Sequence, residues 1–125
     1  MEWARELVTS NSLALSLTCG PLAVEAGLSP LELPADVAEV VRAETDAAVA
    51  LLYGMSREAF EFMLDSFAVL IRMEFNSHGE YRTKRLILEN YDRMQECIDN
   101  GTEFVSTLDP APGLRPRHPE RTTDA

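Results

Sequence analysis

Cysteine is scarce in this chain. Cys19 and Cys97 are too few for the disulfide framework of a small secreted domain. His78 and His118 do not supply the close paired spacing that marks a zinc site, so no metal is expected. No apolar run approaches the roughly 18–20 residues needed to span a bilayer, so no membrane association is expected. The moderately apolar stretch 7–23 is broken by Thr9, Ser10, Asn11, Ser12 and Ser16, and Glu2 and Glu6 stand where a secretory signal needs positive charge. The expected compartment is the cytoplasm, with both thiols reduced.

Catalytic patterns are missing as well. There is no glycine-rich phosphate loop and no nucleophile elbow, and neither cysteine has a local context that favours a thiolate. Paired acids such as Glu58 with Glu61 and Asp92 with Glu96 are expected by chance in a chain with 21 Asp and Glu, so they make no acid–base case. The reading is a protein that is not an enzyme, with no catalytic residues and no cofactor. Lysine is reduced to Lys84, the remaining basic residues being arginine, and no function follows from that.

What is present is an acidic chain of 125 residues with 46% hydrophobic and 26% charged residues and a formal net charge of −10. That length holds one domain and one modest core, because such chains bury only about two thirds of their unfolded surface. The negative excess repels phosphate at long range and opposes autonomous binding to nucleic acid.

Along the chain, residues 1–34 read as an irregular N-terminal segment. A short helix over 1–8 is possible, whereas Leu13, Leu15 and Leu17 alternate at strand period over 12–18. Pro21, Gly27, Pro30 and Pro34 break 20–34 into loop. Residues 35–106 read as a helical domain, a helical hairpin or sharp corner followed by a long C-terminal helix. Asp36 and Glu39 have capping-box spacing ahead of the stripe Val37, Val40, Val41, Ala48, Leu51 and Leu52, and Gly54 stops that helix. Ser56 is an N-cap for a shorter helix through Phe60, Met63, Leu64 and Phe67. The run 68–76 fits helix or extended linker better than strand.

Ser77 and Glu80 repeat the capping-box spacing, and Ile87, Tyr91, Met94 and Ile98 form the stripe of a long helix predicted over 79–100, ended by Gly101. Pro110, Pro112, Pro116 and Pro119 make 107–125 an extended tail. The expected fold class is mainly α.

The only basic cluster, Tyr81, Arg82, Thr83, Lys84 and Arg85, lies at the start of that long helix, where free backbone N–H groups suit a phosphate or carboxylate. These five are the candidate nucleic-acid-binding residues. Tyr81 and Tyr91 are aromatic faces on which bases could stack, but Tyr91 lies on the core stripe. The competing reading pairs the cations with Glu80, Glu89 and other acids on the surface.

The run Arg42-Ala43-Glu44-Thr45-Asp46-Ala47, then Leu52-Tyr53-Gly54, then Phe62-Met63-Leu64-Asp65-Ser66-Phe67 resembles a segment near the end of fused restriction-modification, type IIG-like, adenine-specific DNA methyltransferases. Gly79-Glu80-Tyr81-Arg82-Thr83-Lys84-Arg85-Leu86, continuing Ile87-Leu88-Glu89-Asn90-Tyr91-Asp92-Arg93-Met94, is similar to that family's late helix. Leu108-Asp109-Pro110-Ala111-Pro112-Gly113 resembles its closing tail, and order and spacing agree over 42–118.

Such enzymes methylate adenine with S-adenosylmethionine, and many also cleave DNA. This chain has no Asn-Pro-Pro-aromatic motif and no cofactor loop following a strand, so the resemblance implies membership of a bacterial defence system without its chemistry. The implied role is a non-catalytic helical module that docks on a larger methylase or restriction polypeptide and meets DNA through it. That role predicts an incomplete core, with Leu13, Leu15, Leu17 and the run 69–75 exposed. The alternative is an independent acidic regulator that occupies a basic surface on another protein.

Overall fold

The computed structural model describes residues 1–17 and 33–108, which form five helices. These are α1 (Glu2–Leu17), α2 (Ala35–Leu52), α3 (Arg57–Leu64), α4 (Ala68–His78) and α5 (Arg82–Asn100). No strand occurs among the described residues. The mainly α class is as expected, and α2 is its centre, with α1 packed on one side and α5 on the other.

The N-terminal expectation needs correction. Residues 2–17 are one continuous helix rather than an irregular segment with a strand over 12–18. Ala4, Asn11 and Ala14 are buried at helical spacing, with Trp3, Leu7 and Val8 packed beside them, while Leu13 points to solvent. Ala4 and Ala14 of α1 and Ala43, Ala47, Ala48 and Ala50 of α2, the helix it packs against, are all buried, so small residues make up much of this contact, which a search for large apolar residues overlooks. The loop expected over 20–34 lies mostly outside the described residues.

Both expected capping boxes are absent. Pro34 precedes α2 without a side-chain cap, and Asp36 sits in the first turn, where its charge complements the helix dipole. Glu39 turns instead toward Arg82. Ser77 lies within α4, and Gly79 ends that helix in the left-handed region (φ 72°), its N–H donating to the Phe75 carbonyl at 3.0 Å. The long helix therefore starts at Arg82 and not at Gly79.

Other signals are met. Ser56 caps α3, its Oγ accepting from the Ala59 N–H at 3.2 Å. Ile87, Tyr91 and Met94 are buried on α5, Ile98 is half-buried, and Gly101 caps the end. Phe60 and Tyr91 bring α3 against α5 with ring centroids 5.6 Å apart, and the Tyr91 hydroxyl donates to the Met55 carbonyl at 2.8 Å. The α2–α3 connection makes a corner more than a hairpin, since each helix packs chiefly on α5.

After Gly101 the chain runs back as a strap. Phe104 is buried, with its ring 5.9 Å from that of Trp3 and the Arg93 guanidinium 5.0 Å over its face. Of the tail expected over 107–125, residues 109–125 lie outside the described residues.

Candidate interaction surfaces

The start of α5 gathers the five residues singled out for anion contact, but every one already has an intramolecular role. Tyr81 is buried, and its hydroxyl donates to the Leu64 carbonyl at the end of α3 at 2.7 Å. Burial pushes its phenol up from the usual range. It is therefore a packing residue and offers no face for a base.

Arg82 Nε lies 3.1 Å from Glu39 Oε1, near enough for an ion pair, although its N–H is not aimed along that line. The Thr83 backbone N–H donates to Glu74 Oε1 at 2.8 Å, and its hydroxyl donates to Glu74 Oε2. Glu74 thus occupies the helix N-terminus where an external anion would sit. Lys84 Nζ is 2.8 Å from Asp65 and 3.1 Å from Glu61, and the bond to Asp65 holds its ammonium above the usual range. Arg85 is bracketed by Glu80 at 3.0 Å and Glu89 at 3.2 Å. Its hydrogen bonds to Glu80 hold the guanidinium up and that carboxyl down.

Phosphate could reach these cations only by displacing carboxylates already in place. Exposed pairs of this kind add little stability, but they cancel the local positive field. The Glu80 and Glu89 partners were visible in the sequence. Glu39, Glu61, Asp65 and Glu74 come from α2 to α4 and were not.

Behind this cluster, α2, α4 and α5 enclose a groove of about 580 Å³ whose walls carry Glu39, Arg42, Asp46, Glu74, His78 and Arg82. Its charges of both signs are interleaved. No group of three His, Cys, Asp or Glu placed to hold a metal ion occurs among the described residues.

The more unusual surface is apolar. α4 has no buried residue, and Val69, Met73 and Phe75 are 66%, 59% and 54% exposed. Phe62 on α3 is 79% exposed. Phe67, between the two helices, lines both an apolar groove of about 410 Å³ with Val49, Tyr53 and Met63, and a shallower depression with Val69 and Met73. The groove and the depression meet at Phe67, and neither is lined by Phe62 or Phe75.

Exposure of the run 69–75 was expected from the docking role, and Val69, Met73 and Phe75 are exposed while Leu70 and Ile71 are half-buried. Phe62 and Tyr53 were not singled out, although a signal existed. Phe60 and Phe62 stand two residues apart on a helix, roughly opposite each other around its axis, so a one-sided contact cannot bury both.

No helix among the described residues is long and apolar enough to cross a membrane. No family model, curated protein or solved structure matches this chain.

Proposed function

We propose that the chain is a non-catalytic docking module whose α3–α4 face seats on a larger polypeptide. The observation that carries this reading is the apolar face itself. Phe67, Val69 and Met73 are exposed around the depression between α3 and α4, and their burial on a partner would contribute about 1.5–3 kcal/mol each before the costs of association.

The partner is a protein with a complementary apolar patch and a basic rim. A second copy would bring another net charge of −10 to the same face, so long-range repulsion disfavours self-pairing. The resemblance over 42–118 nominates the body of an adenine DNA methylase or restriction polypeptide, whose DNA-facing surfaces must be basic. DNA is then met through the partner rather than through Arg82, Lys84 and Arg85.

A second reading, an independent acidic regulator that occupies a basic channel, is favoured by one observation: the basic cluster is neutralised from within, leaving the acidic excess uncompensated. The two readings separate by which change disrupts binding. The probe is a purified methylase polypeptide with an Asn-Pro-Pro-aromatic motif, encoded beside this chain, with retention measured through a salt wash.

Docking by the apolar face predicts that the double change Phe67→Ser and Met73→Ser abolishes retention while neutralising Arg82, Lys84 and Arg85 leaves it intact. Channel occupation predicts loss on reversing exposed acids and in high salt. Failure of the purified polypeptide to bind at any salt concentration would sink the methylase assignment.

A further inference from the structure

The helices α2 and α3 both rest on α5 and scarcely on each other, so the apolar groove of about 410 Å³ stays open between them. Asp46, Val49 and Tyr53, one face of α2, form one wall. Phe60 and Met63 of α3, with Phe67 just past its end, form the other. Ile87 of α5, 2% exposed, lies beneath. The volume is at the small end of ligand-sized sites, which run from about 300 to about 1,000 Å³.

Among the described residues Asp46 is the only charged group on these walls. It is exposed, and it makes no hydrogen bond or ion pair with any described residue. Arg42, one turn earlier on α2, lines the charged groove on the other side of Asp46 and does not pair with it. The acids around the start of α5 differ, since Glu39, Glu61, Asp65, Glu80 and Glu89 each face a cation of this chain. The same lack shows in the Asp46 carboxyl, which burial raises above the usual range with no cation drawing it back.

An apolar groove with aromatic walls and one uncompensated carboxylate is complementary to an organic cation on an apolar stem. Arginine fits it better than lysine. Its guanidinium is planar and weakly hydrated, stacks on aromatic rings and pairs with carboxylates, and its methylene stem covers apolar surface.

We propose that the groove between α2 and α3 takes an arginine side chain of the partner protein, the guanidinium on Asp46 and the aromatic walls, the stem against Val49 and Met63. The groove opens beside the docking depression, Phe67 lining both, so one partner segment can reach the two. The inference rests on the docking reading for the partner being a protein, and it is independent of that partner being a methylase.

The test is a titration of the full chain, followed by its amide NMR spectrum, with acetyl-Leu-Arg-Leu-amide and with the same peptide carrying citrulline, which keeps the shape of arginine and removes its charge. The arginine peptide is expected to shift the amides of Val49, Tyr53, Met63 and Phe67 and to bind about three- to tenfold more tightly than the citrulline peptide. That gap closes in Asp46→Asn, an exposed position where the fold is not at risk, and narrows in high salt. Tyr53→Ala, also exposed, weakens the arginine peptide. Equal binding of the two peptides, a gap that persists in Asp46→Asn, shifts confined to residues outside the groove, or no shift with either peptide would each overturn the arginine site. A peptide that fails while a methylase polypeptide is retained removes this site alone, and a peptide that binds while the methylase does not removes the methylase assignment alone.

Discussion

The helices α4 and α5 are separated by three residues and both carry many apolar side chains, yet α5 buries Ile87, Leu88, Tyr91 and Met94 while α4 buries none. The difference lies in spacing. On α5 the apolar positions recur every three or four residues and form one stripe, which α2 and α3 cover. On α4, Val69, Leu70, Ile71, Met73 and Phe75 are distributed around the whole helix, so contact along one side leaves the rest in water. α4 is the more apolar of the two, six residues of 11 against seven of 19, yet only α5 is finished by its own chain.

That contrast can be broken first at the core. Phe60→Ala, beneath α5, is expected to destabilise the fold by about 3–5 kcal/mol, whereas Met73→Ser or Phe75→Ser on α4 should stay within about 0.5 kcal/mol, as read by urea unfolding. Equal losses at the two kinds of position would erase the distinction between covered and uncovered helices.

The pH dependence of stability sharpens the comparison next. Because burial raises the folded Glu44 pKa above its ordinary 4.5, the native state holds the proton more tightly than the unfolded chain. Its contribution is full below that ordinary value and is lost as pH rises through the folded value. The stability of Glu44→Gln minus that of the wild type should therefore grow with pH across this window and then level off. A difference that shrinks with rising pH would contradict the sign.

Smaller effects follow at the joints. Tyr81→Phe removes the hydroxyl that satisfies the Leu64 carbonyl and should cost about 1 kcal/mol in the same unfolding experiment. Ser56→Ala removes the α3 cap and should also cost about 1 kcal/mol. Smallest of all, Arg85→Gln is expected to leave the unfolding midpoint in place at both low and high salt, since its pairs with Glu80 and Glu89 lie in solvent.

Where a single local pattern decides, it was legible. The α5 stripe, the Ser56 cap and the Gly101 stop are each fixed by residues within one or two turns of one another. α1 was misread because Leu13, Leu15 and Leu17 alternate, while the residues that anchor it, Ala4, Asn11 and Ala14, are small or polar. The capping-box spacings at Asp36 and Ser77 failed for a related reason: tertiary partners claimed Glu39, and Gly79 had already ended α4.

The basic cluster shows the same limit at the surface. Its residues are where the sequence placed them, at the first turns of α5, but their charge is cancelled by Glu39, Glu61, Asp65 and Glu74 from as far as 43 positions away, the separation of residues 39 and 82. Only the fold brings those acids within reach.

The most direct test of the docking account is a hydrogen-exchange footprint of the chain free and in the presence of a purified methylase polypeptide that carries an Asn-Pro-Pro-aromatic motif. The account predicts slowed exchange over α3 and α4, with residues 80–85 unchanged. Protection confined to 80–85, with α3 and α4 exchanging as in the free chain, would contradict it and return the basic start of α5 to the centre of the function.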